Sequence, residues 1–292
     1  MTIRPAHLAD MDDIVTLLHT YMNPKISPER WRGLFHYSWL DKIPDFGRVA
    51  IANGRIVGYL GAVYADRIIE GERVRIVNPN SWYMEKPARR EVKGLAPGLG
   101  LEMLYDLTRN PDQHYHTNTS SRLTLVLLRR AGFKVMDQEK YVWRMSAPDK
   151  VIPSIEVLTH SPEIALHVTD EQRRIMADHE GLPVAPILAR EGKQQLFMMV
   201  ATSIKGNEET WIDVMHADDP HLLGKWGQTL AGHLLGESSS RFSCDSRFCT
   251  GKPDGAELHT IDVARYAKTT GLDHRYFDHL YGEIQLLRLK LS

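Results

Sequence analysis

The chain has 292 residues, 36 basic against 37 acidic side chains, a formal net charge of −1, and a hydrophobic fraction of 42% with 25% charged residues. That length allows two lobes with separate cores, and the composition is that of a folded globular protein, not a disordered or fibrous one. With no excess of positive charge there is no global field to hold a phosphate backbone, so nucleic acid is not an expected ligand, although a local basic stretch can still bind a small anion.

The opening MTIRPAHLADMDDI places carboxylates where a signal peptide needs an apolar core, and no apolar run approaches the roughly 18 residues of a membrane span. The expected location is cytoplasmic, with no integral membrane contact. Residues 2–6 read as a strand, and Asp10 is placed to cap a helix whose apolar positions Ile14, Leu17, Leu18 and Tyr21 recur at helical spacing. ERWRGLFHYSWL (29–40) reads as a second, aromatic-rich helix, its aromatics core or lobe contact in preference to a substrate wall. Asn53-Gly54 then sits between two β-rich runs, the strongest short hairpin signal, and RVRIVNPNSWYM (73–84) follows the turn Glu70-Gly71. Three strands with tight turns predict an antiparallel meander.

PARREVKGLAPGLGLEMLYDL next combines a basic cluster, a glycine-rich turn and an amphipathic helix bearing Leu99, Met103, Leu104 and Leu107 on one face. HYHTNT (114–119) reads as a short strand. SSRLTLVLLRRAGF reads as a helix opened by a serine cap and closed by Gly132, and FKVMDQEKYVWRM as a hairpin. APDKVIPSIE (147–156) loses periodicity and carries two prolines, which marks a linker and divides the chain into lobes 1–147 and 148–292. The second half shows the same plan: a helix at 170–180, a hairpin across Glu191-Gly192-Lys193, a strand at 210–217, a helix at 220–235 and a short strand near 241–245. Cys244 and Cys249, a C-x4-C pair without further Cys or closely spaced His, are expected to be reduced structural thiols and not zinc ligands.

A glycine-rich turn that opens a helix is a place for phosphate, because the backbone can approach closely and the free N–H groups and helix dipole favour anions. Gly98-Leu99-Gly100 holds that position, with Arg89, Arg90 and Lys93 just upstream. The same residues also fit a plain tight turn beside a solvated basic face. In the second half the corresponding helix is preceded by HADDP, where Asp219 caps, Pro220 takes the first helical position, and two carboxylates face any incoming phosphate. That lobe is therefore not expected to bind a phosphorylated cofactor.

IRPAHLADMDDIVTLL, GRIVGYLGA, GLG and NTSSRLTLVLLRRAGFKV together resemble the GCN5-related N-acetyltransferase (GNAT) superfamily over about half the chain. The resemblance implies a tandem α/β fold with a mixed central sheet flanked by helices, the second lobe degenerate and shaping the acceptor pocket. It implies acyl-CoA, most simply acetyl-CoA, as co-substrate, lying between two strands that splay apart. The cofactor-binding residues it implies are Tyr83 and Met84 for pantetheine, Gly98, Leu99 and Gly100 for pyrophosphate, and Arg90 and Asn118. Two positions depart from the family pattern. Leu95 stands where an arginine or glutamine is usual, and Leu128 where a tyrosine often protonates the departing thiolate.

For the base that accepts a proton from an attacking amine, the sequence offers Glu85 at the end of the fourth strand and His116 on its neighbour. Each also has a plain reading, as a solvated loop carboxylate and a packing histidine. His114 shares a strand face with His116 but finds no third ligand for a metal, and none is expected. The expected reaction is acyl transfer to a small-molecule amine. NPNSWYMEKPARR and RYAKTTG…DHRYFDHLYGE are similar to GNAT-type proteins linked to bacterial surface-polysaccharide synthesis, which implies an amino-sugar acceptor. Two alternatives stand beside this. One is an aminoacyl transferase like the tandem-lobed peptidoglycan enzymes, against which the neutral charge argues. The other is a non-catalytic binding or scaffold protein, which Leu95 and Leu128 favour.

Overall fold

Asn53 and Gly54 both adopt left-handed backbone (φ 50° and 73°), the geometry of a type I′ turn, and join β2 (Gly47–Ala52) to β3 (Arg55–Ile69). Glu70 and Gly71 (φ 52° and 86°) repeat the device between β3 and β4 (Glu72–Met84). With β1 (Thr2–Pro5) antiparallel to β2, the expected meander is formed. The computed structural model describes residues 1–86, 98–118, 122–145, 152, 154–206, 208–236 and 239–291.

Two compact units make up the chain: residues 1–135, 265–272 and 281–289 in the first, and 136–264, 273–280 and 290–292 in the second. The sequence reading divides the lobes at 147/148. In the structure the first unit instead ends at Val135 and takes back two segments from the carboxyl-terminal part of the chain.

In unit 1, α1 (Met11–Leu17) buries Ile14, Val15 and Leu17. Asp10 precedes it but makes no side-chain cap, because its carboxylate is held by Arg4 through two 2.7 Å bonds and accepts the His7 N–H at 2.9 Å. The second helix is shorter than expected. α2 (Pro28–Arg32), capped by Ser27, passes into a single turn at Gly33–Phe35, after which the chain is drawn onto the sheet. Trp39 Nε1 donates to Tyr64 O at 2.8 Å, and Trp31, Phe35, Tyr37 and Trp39 are all buried, as the core reading of these aromatics expects. α3 (Leu99–Leu107) leads to β5 (Gln113–Thr117), which runs parallel to β4, and α4 (Arg122–Arg130) is closed by Gly132 at φ 87°. The strand order in this unit is β1-β2-β3-β4-β5-β12, where Tyr266–Lys268 at the end of β12 (Glu257–Lys268) pair antiparallel with β5. Nothing in the sequence reading anticipated β12.

Residues 134–144 form one unbroken strand, β6 (Lys134–Arg144), and not the hairpin expected there. Its Asp137, in unit 2, accepts from Ser246 Oγ (2.6 Å) and from Arg247 N (2.9 Å), which anchors an extended backbone where a turn would otherwise form. Unit 2 continues with β7 (Glu156–Leu158), α5 (Ser161–Ile164), α6 (Asp170–Asp178) with its Thr169/Gln172 capping box, and the β8 (Ala185–Glu191)–β9 (Gln194–Lys205) hairpin. β10 (Glu209–Ala217), α7 (Pro220–Leu234) and β11 (Arg241–Asp245) complete it, in the strand order β6-β11-β10-β9-β8-β7. Trp143, Phe242, Val214 and Trp226 are fully buried among leucines and methionines. Gly227 lets α7 lie against Trp143, since a Cβ there would fall 2.4 Å from the indole ring.

Candidate active site

β4 and β5 stay hydrogen-bonded only from Arg75–Val77 against Gln113–Tyr115. At the next position the Asn78 side chain replaces the ladder, with Nδ2 donating to His116 O at 3.1 Å. On the other edge of β4 the register with β3 slips between Gly61↔Asn80 and Tyr59↔Tyr83, so Ser81 and Trp82 both oppose Leu60. Ser81 sits at φ 46°, and the bulge bends β4 at the point where it leaves β5. The two strands therefore part.

A cavity of about 280 Å³ occupies this opening within unit 1. Pro79 to Trp82 of β4 and Leu60 of β3 supply one wall. Thr117 of β5, Leu104 of α3, and Thr124 and Leu128 of α4 supply a second. Met22, Asn23 and Ile26 contribute from the segment before α2 and Trp31 from α2 itself, and Glu283, Leu287 and Leu289 from the carboxyl-terminal segment. That segment is firmly held. Asn78 Oδ1 accepts the Glu283 N–H at 3.1 Å, Arg30 Nε donates to Leu287 O at 3.1 Å, and Arg30 Nη2 donates to Arg288 O at 3.1 Å. Gly282 passes so close to Asn78 that a Cβ would lie 3.1 Å from Oδ1.

Beside the cavity, α3 opens at Gly98, which provides no side-chain cap. Gly98 O already receives Leu101 N and Glu102 N, while the amides of Leu99 and Gly100 stand ahead of the helical ladder, where the helix dipole favours an anion. Among the described residues a Cβ at Gly98 would meet nothing within 4 Å, and one at Gly100 would touch the Trp82 ring at 3.5 Å. Arg90, with Arg89, Lys93 and Leu95, lies outside the described residues.

Of the residues singled out in the sequence, Tyr83 and Met84 follow the bulge on β4. Tyr83 stacks on Tyr21 (6.4 Å between centroids, 9° between planes), and Met84 is buried against Gly58. Asn118 is buried just past β5, its carbonyl receiving Arg265 Nη1 at 2.9 Å. Glu85 lies outside the cavity lining in a bidentate pair with Arg55 (2.5 and 2.8 Å), whose guanidinium holds the carboxyl below its usual range. His116 is 3% exposed, and its neighbour Thr117, not His116, lines the cavity. The carboxylate that does line it is Glu283, also 3% exposed, which the sequence reading did not single out. It belongs to the DHLYGE stretch, and 205 residues separate it from Asn78. A carboxylate after a glycine carries no motif by itself. Leu128, in the position where the family's tyrosine is usual, is buried and offers no hydroxyl.

The corresponding helix start in unit 2 is already satisfied. Asp219 Oδ1 accepts from His221 N and Leu222 N, both at 2.9 Å, with Pro220 at the first helical position. Next to it Asp218 accepts from Phe197 N at 3.0 Å, and burial pushes its carboxyl up. Among the described residues no group of three or more His, Cys, Asp or Glu is arranged to hold a metal, and no helix is long and apolar enough to cross a membrane. Cys244 and Cys249 are free thiols with Sγ atoms 3.5 Å apart.

No family model matches the sequence, and no curated protein does. Solved structures do match. A GCN5-related N-acetyltransferase from Anabaena variabilis ATCC 29413 superposes with a TM-score of 0.57 at 10% identity, covering 92% of this chain and 73% of that one. One from Kribbella flavida gives 0.57 at 9% identity over 91% and 70%. A conserved protein of unknown function from Enterococcus faecalis V583 gives 0.57 at 13% identity over 92% and 72%. The chain therefore has the mixed α/β fold of the GCN5-related N-acetyltransferases, with the cavity of its first unit in the gap where two strands of the sheet part.

Proposed function

We propose that the chain is an acyl-CoA-dependent N-acyltransferase that uses acetyl-CoA or a longer acyl-CoA, with the donor bound by the first unit. Fold alone does not assign chemistry. The observation that carries the reading is the coincidence, within one unit, of parted strands, a cavity at the part, and an uncapped glycine-opened helix beside it. Pantetheine would run along β4 past Tyr83 and Met84, and the pyrophosphate would meet the amides at Gly98, Leu99 and Gly100, with Arg90 and Asn118 completing the donor site. The second unit, which has the same strand–helix order but carboxylates at the helix start, would serve the acceptor side and not a second cofactor.

In this reading a neutral amine attacks the thioester carbonyl directly, and a backbone N–H at the Ser81 bulge polarises the carbonyl oxygen. The sequence candidates for the base are Glu85 and His116, and Glu283 joins them because it lines the cavity. Leu128 leaves α4 without an acid, so the departing thiolate takes its proton from the amine nitrogen. An amino sugar of a surface glycan is the acceptor implied by the likeness of NPNSWYMEKPARR and DHRYFDHLYGE to polysaccharide-linked proteins. Leu128 equally favours a non-catalytic binding role, whose signature would be CoA affinity without turnover of any amine.

The test is calorimetric titration with acetyl-CoA and CoA, on the native chain and on Gly98→Asp. A Cβ at Gly98 meets none of the described residues within 4 Å, so the substitution tests the effect of a negative charge in the proposed anion site. Binding to the native chain and its loss in the variant, with unchanged unfolding, is the expected result. No binding to the native chain, or equal affinity in both, refutes the donor assignment.

A further inference from the structure

Unit 2 holds a pair of sulfurs that acyl transfer leaves unused. Cys244 lies in β11 and is 2% exposed, while Cys249 follows the single turn Ser246–Phe248 and is partly exposed. Their Sγ atoms stand 3.5 Å apart, in hydrogen-bond contact and about 1.5 Å beyond the length of a disulfide bond. The backbone is held on both sides of the pair. Cys244 is the cross-strand partner of Tyr141 in β6, Cys249 N donates to Ser246 O at 3.2 Å, and Thr250 N donates to Pro220 O at 3.1 Å. The Tyr141 hydroxyl donates to Gly251 O at 3.2 Å, so one residue of β6 meets the chain before and after the two sulfurs. The approach that remains is within reach of side-chain rotation. The two thiols also differ from each other. A thiol reacts with peroxide as its thiolate, and its rate follows thiolate character and exposure. Solvent reaches Cys249, whereas Cys244 is shielded and burial pushes its thiol well up.

We propose that Cys249 and Cys244 are a peroxide-reactive dithiol, which closes to a disulfide that clasps the end of β11 to the segment lying on the first turns of α7. The Cys249 sulfur attacks one oxygen of hydrogen peroxide, the O–O bond breaks, and the thiol proton leaves in a molecule of water. The Cys244 sulfur then attacks the resulting Cys249 sulfenic acid. The S–S bond forms, the S–O bond breaks, and the Cys244 proton leaves with the hydroxide as a second water. Two thiols give up two electrons, and one peroxide becomes two waters. The ring so closed contains Arg247, which donates to Asp245 (2.5 Å), Asp137 (3.3 Å) and the Phe277 carbonyl (2.9 Å). Oxidation therefore fixes a segment on which three other parts of unit 2 converge. The dithiol stands independently of the acyltransferase reading, and neither fails with the other.

The experiment uses the full chain, reduced with dithiothreitol, freed of reductant, treated with a small excess of hydrogen peroxide, blocked with iodoacetamide and weighed intact. The sequence contains two cysteines, so any disulfide within the chain is this one. The expected product is a monomer about 2 Da lighter than the reduced chain with neither sulfur alkylated, and dithiothreitol should restore both thiols. The oxidised chain should unfold several degrees above the reduced one, a difference absent from Cys249→Ser. Cys244→Ser should halt at the Cys249 sulfenic acid, which dimedone traps; Cys244→Ala makes the same test if that variant does not fold. Two unreacted thiols in the folded chain, under peroxide that oxidises the urea-unfolded chain, overturn the proposal. A Cys249 sulfinic acid or an intermolecular dimer as the main product overturns it as well. A disulfide that leaves the unfolding temperature unchanged overturns the clasp assigned to it.

Discussion

Asn78 joins three pieces of chain at the point where β4 leaves β5, and its removal should be costly beyond its size. The residue is 2% exposed. Its Nδ2 satisfies the His116 carbonyl, its Oδ1 satisfies the Glu283 N–H, and its own carbonyl accepts from Asn80 Nδ2 at 2.9 Å. Asn78→Ala keeps the last bond but orphans a buried carbonyl and a buried N–H. At roughly 1–3 kcal/mol for each of the two orphans, the expected loss is about 2–6 kcal/mol. Urea unfolding with and without acetyl-CoA measures it. The carboxyl-terminal segment also loses a tether, so acetyl-CoA should stabilise the variant less than the native chain. Asn78→Asp is the informative partner: it retains the acceptor for Glu283 N but gives up the donor to His116 O and buries a charge, so it should not rescue stability. A loss below about 1 kcal/mol in Asn78→Ala would show that water satisfies both groups and that the amide does not hold the strands where they part.

The remaining predictions concern separate features. Gly227→Ala should destabilise unit 2 by about 1–2 kcal/mol in urea, since overpacking against the fully buried Trp143 outweighs the gain in helix propensity; a stabilised variant would show that Trp143 can move aside. Asp66 receives Arg75 at 2.5 Å and Arg73, which depress its carboxyl below the usual range, so its contribution to stability is present above the unfolded carboxylate pKa of about 4 and is lost as pH falls through the lower folded value. Asp66→Asn should therefore lower stability at pH 7 and flatten its decline below about pH 4, and an unchanged acid limb would refute the assignment. Asp219→Ala should cost about 1 kcal/mol as a lost helix cap while leaving CoA affinity unaltered; weakened CoA binding would place the donor in unit 2. Glu85→Gln should reduce turnover far less than Glu283→Gln, and the opposite order would return the base to the end of β4.

How much of this was legible in the sequence depended on whether the cause was local. Asn53-Gly54, Glu70-Gly71 and Gly192 announce their hairpins because left-handed backbone at a turn selects few residue types, and the structure has those turns. Asp219 before Pro220 and the Thr169/Gln172 box are likewise readable from adjacent residues. The failures have distant causes. The pattern of 29–40 predicts one helix, but Trp39 Nε1 donates to Tyr64 O, and the chain leaves the helix to reach it. Asp10 looked like a cap, yet Arg4 six residues earlier holds its carboxylate. Residues 134–144 looked like two strands and a turn, but Asp137 is held straight by Ser246 and Arg247, more than a hundred residues away.

The candidate site divides in the same way. The side proposed for the donor is built from β4 and the start of α3, whose bulge and glycines leave a trace in NPNSWYM and GLG. The other wall of the cavity is assembled from segments near residues 26–31 and 283–289, which are held together where Asn78 and Arg30 bind backbone atoms of the carboxyl-terminal segment. Backbone atoms are the same in every residue, so a contact to Leu287 O or Glu283 N leaves no mark on the identity of the residue that provides it. What the sequence can show is the side chain making the contact, here a buried asparagine in a strand where β propensity disfavours it. Asn78 and Asn80 in β4 were thus the available signal. Two asparagines inside a run that otherwise reads as strand mark a place where the ladder is about to be replaced by side chains, and such a place is where a sheet can open around a ligand.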